Sequence, residues 1–200
     1  MTTGILGGAF DPPHRGHVAL AAGAIDRFRL DRLVVLVVAA PAHRPVAADV
    51  TQRLELARAA FADLPGAEVV PDDHAYKVDF LRVAGHDPDD TLFVVGADEL
   101  ANFLGWKEPD AILELVRLAV GTRPGFPRER LDAVLAHLSR PERVELFEIP
   151  AVETSSTEVR ARLARGEPIA GLLPPTVADR VVELGLYDAD VDPDRSPELC

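Results

Sequence analysis

The sequence is poor in several residue types that mark particular classes of protein. Cysteine occurs once in 200 residues, as the final residue Cys200. This excludes an intramolecular disulfide and a structural zinc site of the cysteine type, and the expected compartment is a reducing cytosol. Lysine is also scarce, since Lys77 and Lys107 are the only lysines among 21 basic residues.

Long hydrophobic runs and excess positive charge are missing too. The longest apolar run, residues 33–42, is too short to span a bilayer and contains a proline, and the N-terminus shows no signal-peptide pattern. There are 33 acidic and 21 basic residues, a formal net charge of -12. This balance argues against a nucleic-acid or membrane partner. It still allows a small phosphorylated substrate, because local charge decides that.

Apolar segments of β character alternate with helical patterns along the chain. Strands are predicted at 5–8, 33–39, 68–70, 91–96, 115–120 and 144–149. Helices are predicted at 14–28, 49–62, 78–83, 128–138, 155–164 and 176–184, the last ending at Gly185. This order predicts an α/β fold, a Rossmann-like doubly wound and mainly parallel sheet with helices on both faces. We expect a single domain over 1–187 and an acidic, mobile tail over 188–200.

The first candidate segment follows the first strand and runs from Gly7 to His17. Its paired glycines let the backbone approach a ligand closely, and the start of the next helix offers N–H groups to a polyphosphate. His14 and His17 share one face of the first helical turn, with Gly16 between them. The alternatives are a capped loop with two exposed histidines and, less favoured, a zinc site, for which no third ligand is apparent.

The second candidate segment is Thr154-Ser155-Ser156-Thr157-Glu158-Val159-Arg160. Ser155 and Glu158 fit a capping box, so a helix beginning here presents hydroxyls and free N–H groups to an anion. Arg160 is expected to reach back to the same anion. In isolation the segment would be better interpreted as an ordinary capped surface helix.

A third segment joins Gly96-Ala97-Asp98 to Gly105-Trp106-Lys107. Asp98 follows a strand, so its carboxylate is predicted at the carboxyl edge of the sheet, facing a ribose hydroxyl or a metal-bound phosphate. Trp106 lies outside any apolar period, which suits a stacking platform for a flat ring. The alternative is a partly buried packing tryptophan.

These segments resemble the signatures of the nucleotidylyltransferase superfamily. His14-Arg15-Gly16-His17 is similar to its His-x-Gly-His element, and 154–160 to its Ile-Ser-Ser-Thr-x-x-Arg element with Thr154 in place of isoleucine. Residues 10–14, Phe-Asp-Pro-Pro-His, most resemble bacterial nicotinate mononucleotide adenylyltransferases. Gly185-Leu186-Tyr187 also matches that family, so the resemblance covers nearly the whole chain.

The resemblance implies a role for each matching residue. His14, His17 and Arg160 would be catalytic, contacting the ATP phosphates and stabilising the transition state. The residues that would bind ATP are Gly7, Gly8, Ala9, Phe10, Gly16, Gly96, Asp98, Ser155, Ser156 and Thr157. Those that would bind the mononucleotide are His43, Arg44, Tyr76, Lys77, Trp106 and Lys107, with Trp106 stacking on the nicotinate ring.

The implied function is transfer of an adenylyl group from ATP to nicotinate mononucleotide, with release of pyrophosphate. Mg²⁺ would enter with ATP, and no all-protein metal cage is expected. Lys77 and Phe80 stand where the family usually has threonine, and Arg44 where it has lysine. The alternatives are another acceptor, such as nicotinamide mononucleotide, phosphopantetheine or an alcohol phosphate for cytidylyl transfer, or a nucleotide-binding regulatory protein without turnover. A homo-oligomer is compatible with the sequence.

Overall fold

Six short strands form the centre of the fold in the computed structural model, which describes residues 1–41 and 45–188. Their bounds are β1 Thr3–Gly8, β2 Arg32–Val38, β3 Ala67–Asp72, β4 Thr91–Gly96, β5 Arg117–Thr122 and β6 Val144–Glu148. The strands lie in the order β3-β2-β1-β4-β5-β6, and each neighbouring pair is parallel. The order reverses between β1 and β4, and ligands of open parallel sheets bind at such a switch point.

Helices cover both faces of this sheet, as predicted. Their bounds are α1 Arg15–Phe28, α2 Val50–Phe61, α3 Lys77–Ala84, α4 Ala97–Ala101, α5 Pro109–Leu115, α6 Arg128–Leu135, α7 Ser156–Ala164 and α8 Pro175–Glu183. Buried side chains of α1, α2, α7 and α8 form one apolar layer with the sheet. Those of α3, α5 and α6 form the second layer on the opposite face.

The central strands are apolar on both sides, which explains their sequence pattern. Residues 33–37 of β2 are all buried, and so are residues 91–95 of β4. A strand that is covered on both faces needs apolar side chains at every position rather than at alternate ones. The prediction of a parallel α/β sheet from these uninterrupted runs is confirmed.

Several predicted boundaries are wrong, mainly between β4 and β6. Leu115, predicted as the start of a strand, is the last residue of α5, and β5 begins at Arg117. The short helices α4 and α5 were not predicted, and α6 ends at Leu135 rather than Leu138. The apolar residues of α5 run directly into those of β5, and a short apolar run does not distinguish a helix from a strand.

The predicted acidic tail falls outside the described residues apart from Asp188. Within 1–41 and 45–188, no helix combines the length and apolar character needed to cross a membrane.

Candidate active site

The first segment forms a tight loop between β1 and α1, at the switch point of the sheet. Gly7 and Gly8 are the last residues of β1, and the chain then turns at Phe10, whose φ is 51°. A Cβ atom on Gly8 would stand 3.0 Å from the Phe10 ring, which is itself buried. Gly8 therefore leaves the space that lets Phe10 fold under the loop and hold the following residues in place.

The two histidines pack against each other at the start of α1. Their ring centroids are 3.7 Å apart in a stacked arrangement, and the Phe10 ring meets His17 edge-on at 5.1 Å. The backbone N–H of His14 donates to Nδ1 of His17 over 3.1 Å. This bond leaves Nε2 of a neutral His17 ring to carry the proton, so His17 is set up as a hydrogen-bond donor through Nε2.

His14 is enclosed by neighbouring side chains and backbone. A Cβ atom on Gly16 would stand 3.0 Å from the His14 ring, so glycine is needed between the histidines. Burial lowers the pKa of His14 from 6.5 to about 4. At neutral pH His14 is thus an uncharged ring that contributes a hydrogen-bonding group rather than a positive charge.

The second segment docks directly onto the first. The Ser156 hydroxyl of α7 donates to the Pro12 carbonyl over 2.8 Å. Nη1 of Arg160 donates to the Asp11 carbonyl over 2.6 Å and lies 3.7 Å from Oδ2 of Asp11. The sheet thus brings the helix start of α7, including Thr157, beside the histidine loop, as expected of a shared anion site.

The predicted capping box of α7 is only half formed. Ser155 is the N-cap, and its hydroxyl accepts from the backbone N–H of Glu158 over 3.1 Å. The Glu158 carboxylate instead accepts two hydrogen bonds from Arg162, one turn further on. An i,i+4 arginine competes for this carboxylate because it can offer a charged, forked donor.

The Gly-Ala-Asp segment is helical rather than a simple loop. Gly96 ends β4 and caps α4, and Asp98 lies in the first turn of that helix. Oδ2 of Asp98 lies 3.5 Å from Nη2 of Arg123, which follows β5. Sequence reasoning missed Arg123, although its place just beyond a strand end is the same signal that singled out Asp98.

Trp106 is anchored to the core along one side. Its ring lies 5.1 Å from Phe103 and 6.3 Å from Phe93, both buried. Nζ of Lys77 lies over the indole ring, 4.3 Å from its centroid. One side of the Trp106 ring therefore packs against the core, as the alternative of a partly buried packing tryptophan predicts. A face of the same ring makes a cation–π contact with Lys77.

The chain's two lysines form crossed contacts between α3 and the turn after α4. Lys77 lies over Trp106, while Nζ of Lys107 lies 4.8 Å from the Tyr76 ring centroid. Nζ of Lys107 is also 2.9–3.0 Å from both carboxylate oxygens of Asp79. The structure thus gathers four of the six residues predicted to bind the mononucleotide, and places an ion pair on Lys107 that the sequence did not indicate.

The other two predicted mononucleotide residues, His43 and Arg44, lie outside the described residues. The chain before them is bonded to Arg53, which also donates to the Ala9 carbonyl of the first loop, and the chain after them is bonded to the first loop directly. Nη2 of Arg53 donates to the Ala39 carbonyl over 2.7 Å, and the backbone N–H of Ala47 donates to the Asp11 carboxylate over 2.7 Å.

Arg53 is the principal residue that sequence reasoning missed. Its side chain is 0% exposed and lies on the apolar face of α2. It donates to four backbone carbonyls, those of Ala9, Val38, Ala39 and Ala48. A lone arginine at helical spacing from buried residues of α2 is the signal that could have identified it.

This chain has a parallel α/β sheet, and polar loops and helix starts lie at its switch point. Such an arrangement is typical of nucleotide-binding proteins. Residues 5–162 match the family model described as "Cytidylyltransferase-like". The chain belongs to this family, within its group of relatives named nicotinate-nucleotide adenylyltransferases.

Two relatives illustrate how far this similarity extends. A Bordetella avium protein named "Probable nicotinate-nucleotide adenylyltransferase" is 38% identical over 192 residues, covering 92% of this chain and 96% of that protein. A Rubrobacter xylanophilus protein of the same name is 34% identical over 200 residues, covering 95% and 94%.

Solved structures support the same fold. The Plasmodium falciparum nicotinic acid mononucleotide adenylyltransferase complexed with NaAD superposes with a TM-score of 0.77 at 16% identity, covering 96% of this chain and 99% of that one. A complex of the same enzyme with APC gives a TM-score of 0.73 at 17% identity, with the same coverage. At these identities the likeness establishes the shared α/β architecture.

The low pKa of His14 predicts a specific pH dependence of stability. Between pH 6.5 and about 4 the unfolded chain binds a proton at His14 that the folded chain does not, so this contribution to stability is lost as the pH falls. Urea unfolding of wild type and His14→Asn should show the wild type losing up to about 3 kcal/mol relative to the variant over this range.

NMR titration of the His14 ring provides the control. Its midpoint should lie near pH 4 in the folded protein and near 6.5 in urea. A difference in unfolding free energy that does not change with pH would contradict this burial effect.

Proposed function

We propose that this protein transfers the adenylyl group of ATP to nicotinate mononucleotide, forming deamido-NAD and releasing pyrophosphate, as a step of NAD biosynthesis. The names of its relatives support this activity. The single cysteine of the chain suits a reducing cytoplasm as the place of the reaction.

The docking of the second segment on the first carries the proposal. Ser156 and Arg160 contact Pro12 and Asp11, so the start of α7 faces the same crevice as His14 and His17. The helix start of α7 and the two histidine rings then line one site, which suits a triphosphate better than a single charge.

The reaction needs no covalent intermediate with the protein. An oxygen of the mononucleotide 5′-phosphate attacks the α-phosphorus of ATP in line, and the bond between that phosphorus and the bridging oxygen breaks as pyrophosphate leaves. Catalysis then depends on positioning and on stabilising charge at the bridging and leaving oxygens. Nε2–H of His17 and the N–H groups of Arg160 beyond its bond to Asp11 supply these donors.

Mg²⁺ enters this site as part of the substrate, bound to the ATP phosphates. A magnesium ion held mainly by phosphates and water needs few protein ligands. Asp98, whose side chain is 64% exposed and pairs with Arg123, would face either the metal-bound phosphate or a ribose hydroxyl.

The acceptor site is formed by the contacts around Trp106. Lys107 is paired with Asp79, whereas the ammonium group of Lys77 lies at stacking distance from the indole ring. A pyridine ring that stacks on Trp106 would take this place and move the ammonium group towards its edge. There a nicotinate carboxylate would gain more from Lys77 and from the N–H groups at the start of α3 than a neutral amide would.

A substrate panel tests the proposed function. ATP and CTP are each combined with nicotinate mononucleotide, nicotinamide mononucleotide and phosphopantetheine, and pyrophosphate release is measured. We expect turnover with ATP and nicotinate mononucleotide. Turnover only with another pair would reassign the substrate, and binding of ATP with no turnover on any acceptor would favour a regulatory protein.

His17→Ala should lower kcat far more than it raises KM for ATP. The contact of His17 strengthens as charge moves to the leaving group, so a loss on the order of 10²-fold or more in kcat is expected. His137→Ala, which removes an exposed histidine at the end of α6, is the matched control and should leave both constants unchanged. A His17 variant with kcat within a few-fold of wild type would contradict the catalytic role.

Trp106→Ala should raise KM for the mononucleotide and leave KM for ATP nearly unchanged. Stacking of one ring on an aromatic side chain contributes roughly 1–3 kcal/mol, so the expected rise is about 5- to 150-fold. Trp106→Phe keeps a flat ring and should recover much of the binding. A large fall in melting temperature of the alanine variant, with KM values unchanged, would support a packing role instead.

Lys77→Thr should reduce the preference for nicotinate over nicotinamide mononucleotide. The wild type is expected to prefer nicotinate by at least about tenfold in kcat/KM, or roughly 1.4 kcal/mol. The variant should keep turnover and lose most of this ratio. Equal use of both mononucleotides by the wild type would contradict the acceptor assignment. An unchanged ratio in the variant would mean that the backbone N–H groups of α3, rather than Lys77, select nicotinate over nicotinamide.

A further inference from the structure

The C-terminal end of the described chain turns back towards the histidine loop. After α8, Gly185 has a φ of 58°, and its N–H donates to the Val182 carbonyl over 3.1 Å. The N–H of Leu186 donates to the Val181 carbonyl over 3.0 Å, and the Leu186 side chain is buried. This helix end is a Schellman motif, which reverses the chain and directs Tyr187 inward.

Tyr187 makes a long-range hydrogen bond to the first loop. Its hydroxyl donates to Oδ1 of Asp11 over 2.8 Å, across 176 residues of sequence. Burial raises the pKa of the Tyr187 hydroxyl, and the neighbouring Asp11 carboxylate raises it further. The phenol therefore remains a proton donor throughout the physiological range.

Asp11 links this hydroxyl to Arg160. Its carboxylate is 3% exposed and also accepts from the backbone N–H groups of Ala47 and Ala48. Arg160 reaches the same residue through its bond to the Asp11 carbonyl and lies 3.7 Å from Oδ2. The hydrogen bonds donated to the Asp11 carboxylate thus fix its orientation. They also set how strongly it attracts the guanidinium group of Arg160.

Loss of the Tyr187 hydroxyl would change this balance. Oδ1 would keep only the Ala48 donor among those described above, and a buried carboxylate with fewer donors attracts a nearby cation more strongly. The carboxylate torsion is broad, so it can rotate towards Arg160. We infer that Tyr187 is a positioning residue, which holds Arg160 in the orientation needed for phosphate contact by orienting Asp11.

Tyr187→Phe tests this inference, which rests on the proposed role of Arg160. We expect kcat to fall on the order of tenfold, while KM for nicotinate mononucleotide stays within about twofold. The acceptor contacts of Trp106 and Lys77 do not involve Asp11, so a positioning effect on Arg160 should spare them. Thr176→Val is the matched control, because it removes a hydroxyl bond to the Ala59 carbonyl in the same C-terminal segment, and kcat should not change.

A double-mutant cycle with Arg160→Ala separates positioning from a general loss of stability. If Tyr187 acts through Arg160, adding Tyr187→Phe to Arg160→Ala should lower kcat by less than about twofold further. If the reductions in kcat caused by the two substitutions multiply in the double variant, the inference is overturned, even if the phenylalanine variant is less stable. A kcat of Tyr187→Phe within twofold of wild type would also overturn it. Unchanged kcat in Arg160→Ala alone would count against the proposed site itself.

Discussion

The buried guanidinium group of Arg53 is the interaction on which the candidate site depends. A charged group without solvent exposure is tolerated only when its donors are satisfied, and Arg53 meets this condition with backbone carbonyls from three places in the chain. These are the end of β1, the end of β2 and the start of α2. Burial lowers the pKa of Arg53, and the nearby Asp11 carboxylate opposes that shift.

Local charge at this edge of the sheet differs from the charge of the whole chain. The sequence carries a net charge of -12, yet Arg160 is bonded to the histidine loop, Lys77 lies over Trp106, and Arg53 is buried behind the loop. Asp11 is the buried carboxylate among them, and it is engaged by Tyr187 and by backbone N–H groups. The net charge of an acidic protein therefore does not decide the charge of one site, because the local arrangement sets the field within a few ångströms.

Structure is predictable from the sequence where one local pattern implies one structure. The uninterrupted apolar runs of β2 and β4 predicted a parallel sheet, and Ser155 and Gly185 marked helix ends through their capping chemistry. The prediction was wrong at Leu115, where α5 passes directly into β5. It also missed Arg162 as the partner of Glu158, since two acceptable partners lay within one turn.

The α/β class, the histidine loop and the helix start that faces it can all be predicted from the amino-acid sequence, because glycines, caps and strand ends act over a few residues. The contacts that join these parts become apparent in the folded chain. Arg53 binds carbonyls of alanine and valine, and a backbone carbonyl is present at every residue, so no side-chain pattern records that choice. The bond between Tyr187 and Asp11 spans nearly the whole chain. Such a contact exists only once the sheet has brought both ends together.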